Sequence, residues 1–265
     1  MFTGIALGSI VGMLLGLTGA GGGVLAVPVL MLGLGMSMTE ATPVALIAVG
    51  SAAWLGGLAG LRQGLVRYRA ALLMACLGAL SAPVGVSLAH RLSPAVLVAV
   101  FCAVLCLIAF RMLGAASAGA HDPESGHLDR NCMINPATGR FRWNLRCSTT
   151  LAATGSLAGL FTGMLGVGGG FLIVPAFRQY SDLTMAASAA TSLAVIALVS
   201  STTVLGSLLG GAEISALGWV FIAATGVGMI AGRSVAIRIP GRWLQIGFAG
   251  AVLLVATVWL AKTFF

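Results

Sequence analysis

Along this chain the apolar residues fall in long blocks, and the polar ones are gathered into short breaks between them. Six blocks, at 39–61, 70–90, 94–113, 183–210, 215–237 and 242–261, approach the roughly 20 residues that a helix needs to cross the hydrocarbon core of a bilayer. Each is predicted to be a transmembrane helix. The first block, 4–34, fits neither one crossing nor two: at about 1.5 Å per residue it is too long for the first and too short for the second. Near its middle stands Gly19-Ala20-Gly21-Gly22-Gly23. Each consecutive glycine costs a helix about 1 kcal/mol relative to alanine, so the helix is expected to break there. Pro28 follows, early in the second piece, where a missing N–H is tolerated. The pattern predicts two half-helices meeting at a glycine tip inside the membrane, and the chain repeats it at Gly163 to Pro175.

The repetition extends to the whole chain. An offset of 147 superposes Gly8, Gly12, Gly16, Gly19, Gly21, Gly22, Gly23 and Pro28 on Gly155, Gly159, Gly163, Gly166, Gly168, Gly169, Gly170 and Pro175. The match is expected to resume with a two-residue shift, Thr42-Pro43-Val44-Ala45 meeting Thr191-Ser192-Leu193-Ala194, and to return to 147 at Gly85 and Gly232. Two related membrane units result, 1–113 and 147–265, joined by a polar connector, 114–146. The connector holds His121, Asp122, His127, Asp129 and Cys132, but at no recognised ligand spacing, so no metal is expected there. Cys76, Cys102 and Cys106 lie in apolar segments and Cys132 and Cys147 near the connector. With no disulfide framework evident, all five read as small apolar packing residues.

Composition confirms the class. Hydrophobic residues make up 59% and charged ones 8%, with a mean hydropathy of +1.07, whereas a soluble domain carries roughly 25% charged residues. A net charge of +8 would suggest nucleic acid in a soluble protein. Here the arginines sit at the ends of apolar runs, as topology signals, and no nucleic-acid partner is expected. Met1-Phe2-Thr3 has no basic region of a cleaved leader, so the first segment is expected to be retained.

Charge then selects the topology. If each glycine-broken block is a hairpin returning to its own side, the two units are inverted. Arg62, Arg67, Arg69, Arg111, Arg130, Arg140, Arg142, Arg146, Arg178, Arg233, Arg238 and Arg242 then share one side, against Arg91 and Lys262, twelve to two. Single crossings would give nine to five, so the hairpin agrees better with the excess of basic residues in cytoplasmic loops. The expected fold is all-α and polytopic: two inverted-topology repeats, each a half-helix hairpin plus three transmembrane helices, in a bacterial inner membrane with the connector cytoplasmic. Such repeats with broken helices are a transporter architecture, with the solute near the midplane between them.

The two stretches Gly16-Leu17-Thr18-Gly19-Ala20-Gly21-Gly22-Gly23 with Pro28, and Gly163-Met164-Leu165-Gly166-Val167-Gly168-Gly169-Gly170 with Pro175, resemble the sulfite exporter TauE/SafE family. Thr42 and Thr191-Ser192-Leu193 look like that family's second conserved stretch, although Pro43 stands opposite Ser192. The resemblance implies a bacterial permease for sulfite, sulfonates or related sulfur compounds.

Candidate binding residues follow from anion chemistry. Where a half-helix begins, its first N–H groups lack partners and carry the positive end of the dipole, and glycine lets an oxyanion reach the backbone. Gly21, Gly22, Gly23, Gly168, Gly169 and Gly170 are therefore the first candidates. Hydroxyls could complete the coordination as neutral donors: Thr18, Thr42, Ser51, Thr191, Ser192, Ser200, Ser201 and Thr202, with Thr18, Thr42, Thr191 and Ser192 foremost. These groups also bond to their own helix backbone. Arg233 lies roughly 7 Å deeper than Arg238 on one helix, as an intramembrane cation or a snorkelling one. The stripes Gly8-Gly12-Gly16 and Gly155-Gly159-Gly163 read as close helix packing, inside the chain or in a homodimer. All six carboxylates fall in loops or at helix ends, so neither a coupling carboxylate nor the acid pair of a hydrolase is evident. An enzyme and a cofactor are not expected. The expected role is export of a small sulfur-containing anion, with a permease for another solute or a non-transporting scaffold as the alternatives.

Overall fold

A computed structural model describes residues 1–19, 22–93, 143–209 and 214–236, with scattered residues of 96–110, 131–141 and 246–258. Among these residues run eight bounded helices: α1 Phe2–Thr18, α2 Gly23–Leu34, α3 Met38–Arg62, α4 Tyr68–Arg91, α5 Leu145–Leu165, α6 Gly170–Tyr180, α7 Met185–Leu209 and α8 Ala216–Ala236. Spans of α3, α4, α7 and α8 are long and apolar enough to cross a membrane. The spans expected at 94–113 and 242–261 lie largely outside the described residues, as does most of the connector.

Each glycine-broken block is a hairpin. α1 ends at Gly19, whose φ of 77° closes the helix in the left-handed region, and α5 ends the same way at Gly166, φ 68°. Side chains rarely adopt this conformation, which is why glycine stands at both ends. The returning limbs fold back: a Cβ on Gly22 would strike the Leu15 backbone, and one on Gly33 the Leu7 side chain. The limbs are unequal, 17 and 12 residues in the first hairpin and 21 and 11 in the second. Pro28 sits in the second turn of α2 rather than its first, so Val24 O has no helical N–H to accept.

Apart from the earlier start of α5, the described helices obey the 147 offset to within two residues. α3 and α7 both span 25 residues, starting at 38 and 185. The two-residue shift expected around Thr42 is therefore corrected: the structural mate of Thr42 is Ala189, not Thr191. Packing shows why. A Cβ on Gly19 would strike Ala189 and one on Gly166 would strike Thr42, so each tip meets the same place on the other unit. Hydroxyl identity suggested the shift, but close backbone approach sets the register.

Contacts between helices are exchanged between the units in the same way. α1 lies along α8, Gly8 facing Phe221, Gly12 facing Thr225 and Gly16 facing Gly232. α5 lies along α4, Gly155 facing Met74, Gly159 facing Gly78 and Gly163 facing Ala82. Numbers rise together in both pairs, so these helices run parallel. Both glycine stripes are used inside the chain, where a Cβ would fall on the neighbouring backbone. α3 and α7 run antiparallel instead, Gly50 meeting Ser200, Gly57 meeting Ala194 and Gly60 meeting Ala190, and Trp54 Nε1 donates to its mate Ser201 Oγ at 2.9 Å. These directions bring Arg62, Arg67, Arg69, Arg146, Arg178 and Arg233 to one end of the bundle and leave Arg91 at the other.

Apolar side chains cover the outside as well as the core. Phe2, Leu72, Leu80, Trp219, Val227 and Ile230 are all exposed, while Leu15, Val24, Val49, Ile196 and Phe221 are sealed inside. An apolar belt of this kind belongs in lipid. The expected carboxylate placement also has a specific form at one point: Glu40 Oε2 accepts from Ser37 N at 3.0 Å in a capping box at the start of α3.

Two cysteines were misread from sequence. Cys132 and Cys147 form a disulfide, with Cα atoms 4.8 Å apart. Cys132 N also donates to Tyr180 O at 3.0 Å, and Asn131 Nδ2 to Thr150 Oγ1 at 3.0 Å. The end of the connector is thus strapped across the open end of the second hairpin. No short motif encodes this, because the chain must first bring α5 and α6 together.

Candidate functional site

The returning limbs begin where α3 and α7 cross. A Cβ on Gly23 would lie 2.9 Å from Val167 O and 3.0 Å from Val49 Cγ1; one on Gly168 would lie 3.2 Å from Val49 Cγ1 and 3.3 Å from Ile196 Cγ2. Val49 and Ile196 are mates under the 147 offset and stand near the middles of their helices. The two tips therefore meet beside the middles of α3 and α7. Gly168 and Gly169 have φ of 76° and 59°, whereas Gly22, the mate of Gly169, is right-handed at −60°. Leu172 N is taken by Gly169 O at 3.2 Å, and the Gly170 and Phe171 N–H groups at the start of α6 lack helical partners by geometry, so this junction offers donors to an anion.

The second tip has a further polar group. Ser200 is completely buried and its Oγ has no hydrogen-bond partner. That oxygen lies 3.7 Å from where a Cβ on Gly168 would stand, and 3.7 Å from the same point on Gly50. An unsatisfied buried hydroxyl costs about 1–3 kcal/mol. Its mate in the first unit is Ala53, also fully buried.

The other expected site residues divide. Gly23 and Gly168 form the junction, Gly22 and Gly169 pack back on their own hairpins at Leu15 and Ala158, Gly170 begins α6, and Gly21 lies outside the described residues. Thr18 Oγ1 donates to Leu14 O at 2.7 Å, and Thr42 packs against Gly166. Thr191 Oγ1 donates to Ala187 O at 2.7 Å and accepts from Arg67 N at 3.1 Å. Ser192 Oγ lies 2.8 Å from Ala189 O and 3.1 Å from Gly19 O, holding the first tip to α7. Arg233 is tied to α3, donating to Gly56 O at 2.7 Å and Gln63 Oε1 at 3.1 Å. It neither reaches freely for the surface nor faces the tip contact between Gly23 and Val167. Sequence reasoning did not single out Ser188, whose buried Oγ is also unpartnered, or Arg67, whose Nε is. No local pattern marks an unsatisfied atom; only packing reveals it.

Among the described residues no cluster of His, Cys, Asp and Glu could hold a metal ion.

Two proteins of Xylella fastidiosa are similar to this chain over 173 residues. One, from strain 9a5c, is 31% identical, and one, from strain Temecula1 / ATCC 700964, is 30% identical; each is described as a "probable membrane transporter protein". In both cases the alignment covers 65% of this chain and 60% of the relative, so the chain matches somewhat less than two thirds of their length. No solved structure matches it. The family model for the sulfite exporter TauE/SafE family matches residues 4–258, nearly the whole chain, and with its doubled glycine hairpin and apolar helices this integral membrane protein belongs to that family.

Proposed function

We propose that this protein is a transporter of small sulfur-containing anions, such as sulfite or organosulfonates, working by alternating access around the junction of the two glycine tips. One observation carries the reading: Gly23 meets Val167 and Gly168 meets Val49 and Ile196 at mid-depth, where the antiparallel mates α3 and α7 cross. A site on the line relating two inverted units can be exposed to either side by exchanging their conformations. Its donors are backbone N–H groups and hydroxyls, neutral groups that bind an oxyanion without holding it as a fixed charge would. Val49, Ile196 and Ser200 are sealed, at 0%, 1% and 0% exposure, which corresponds to an occluded stage of such a cycle.

We place the protein in a bacterial inner membrane with its arginine-rich end, and so the connector, in the cytoplasm. Export is the favoured direction, since an inside-negative potential drives an anion outward by roughly 2.3 kcal/mol per charge per 100 mV. The Cys132–Cys147 bond lies at that same end and bears on the orientation in the opposite sense, because disulfides persist in the periplasm and are generally reduced in the cytosol. Cytoplasmic placement predicts two free thiols in cells; a bond that survives in cells would reverse the orientation.

The test is uptake and efflux by proteoliposomes, with sulfite, sulfate, thiosulfate, sulfoacetate and taurine offered with and without a membrane potential. Saturable, potential-sensitive movement of one anion is expected. Folded protein that moves none of them would leave another solute or a scaffold role in its place.

A further inference from the structure

We propose that Ser200 is the side-chain hydroxyl that binds the transported anion, so that the site is built on the second unit rather than shared equally between both. This rests on the transport reading above and says which groups carry it.

Three observations converge on Ser200. Its Oγ is buried without a partner, at a cost that packing alone does not explain, since the alanine found at its mate Ala53 would fill the position without that cost. The oxygen lies beside two glycines, Gly50 in α3 and the left-handed Gly168 just before α6, 3.7 Å from where a Cβ on either would stand. The third is the local dipole: the N-terminus of α6, with N–H groups that its own helix leaves unbonded, begins two residues after Gly168.

A tetrahedral or pyramidal oxyanion placed between these elements would accept from Ser200 Oγ and from the α6 backbone together. In the sealed state Gly50 and Ser200 are in contact, so binding requires α3 and α7 to part at this point. A hydroxyl left unsatisfied in the closed state and satisfied when the anion arrives favours opening in the presence of substrate. The chemistry suits sulfite or a sulfonate head group, since the Ser200 hydroxyl can donate and the start of α6 presents N–H groups and the positive end of the helix dipole.

Ser188 provides the control. It sits on the same helix, equally buried and equally unpartnered, but twelve residues away, roughly 18 Å along α7. Removing either hydroxyl relieves an unsatisfied group, so both Ser188→Ala and Ser200→Ala are expected to raise the melting temperature of the purified protein. Only Ser200→Ala should weaken the anion: KM for sulfite or the sulfonate in proteoliposomes rises by about tenfold to a hundredfold, and thermal stabilisation by the same anion is lost. Ser200→Thr, which keeps the hydroxyl, should retain both responses in part.

A Ser200→Ala protein with unchanged KM and unchanged stabilisation by anion overturns the proposal, as does an equal loss in Ser188→Ala. Failure of the transport reading is seen separately, in the unsubstituted protein, which would then neither move nor be stabilised by any of the anions.

Discussion

The two units share a backbone and differ in chemistry. Their helices correspond one to one, and the glycines that let α1 lie on α8 are matched by those that let α5 lie on α4. Buried hydroxyls are distributed very differently. α7 buries Ser188, Thr191, Ser192 and Ser200, while the mates in α3 are Ala41, Val44, Ala45 and Ala53. Arg233 in α8 is opposed by Val86 in α4, and only the second hairpin carries the disulfide strap. Backbone packing is common to both halves because each must fit the other. Chemistry is free to diverge, and it has gathered on one side of the line between them.

The comparison can be broken most severely where the halves are most alike. Gly12→Leu and its mate Gly159→Leu each drive a side chain into neighbouring backbone, at Thr225 and Gly78. Both should abolish folding to a similar degree, read as loss of monodisperse protein after solubilisation. A large difference between the two would mean that the units are not packed equivalently.

Smaller effects should separate the halves. Cys147→Ser, or full reduction, removes a bond that closes a stretch with a sequence separation of 15, and in oxidised protein should lower stability by about 3 kcal/mol on loop-closure grounds. Hydrogen exchange should localise that loss to the ends of α5 and α6 and spare the first hairpin. Arg233→Met removes hydrogen bonds from a charged group to Gly56 and Gln63, and thermal unfolding should show a loss of about 1.5–3 kcal/mol. Unchanged stability would mean that these bonds do not hold the guanidinium in place, as for a snorkelling cation. Trp54→Phe deletes the bond to Ser201 that joins a pair of mates; the expected loss is about 0.5–1.5 kcal/mol by the same assay, with no change in anion KM.

Much of this was legible in the order of residues. The bounds of α3, α4, α7 and α8 lie within a few positions of the apolar blocks, because a segment that must satisfy its own backbone in lipid has little choice but a helix of a given length. The hairpins could be read from Gly19 to Gly23 and Gly166 to Gly170, since consecutive glycines have few other uses at that depth. The register of α3 against α7 could not. Thr42 resembles Thr191 as a letter, but the position it occupies against Gly166 corresponds to Ala189 against Gly19. Among the hydroxyls favoured from their motif, Thr18, Thr191 and Ser192 are engaged by backbone, and the unpartnered ones, Ser188 and Ser200, lie outside that motif.

By itself the sequence determined the solvent, the doubling of the chain, the breaks in its first and fifth helical blocks and the end on which the described arginines other than Arg91 collect. These follow from composition, repeat spacing and glycine content, each a local property. Tertiary structure decided which hydroxyls are left without partners, where Arg233 spends its hydrogen bonds, that Cys132 reaches Cys147, and that the tips meet beside Val49 and Ile196. Satisfaction of a buried polar group depends on atoms brought in from distant parts of the chain, and no local pattern of residues specifies it.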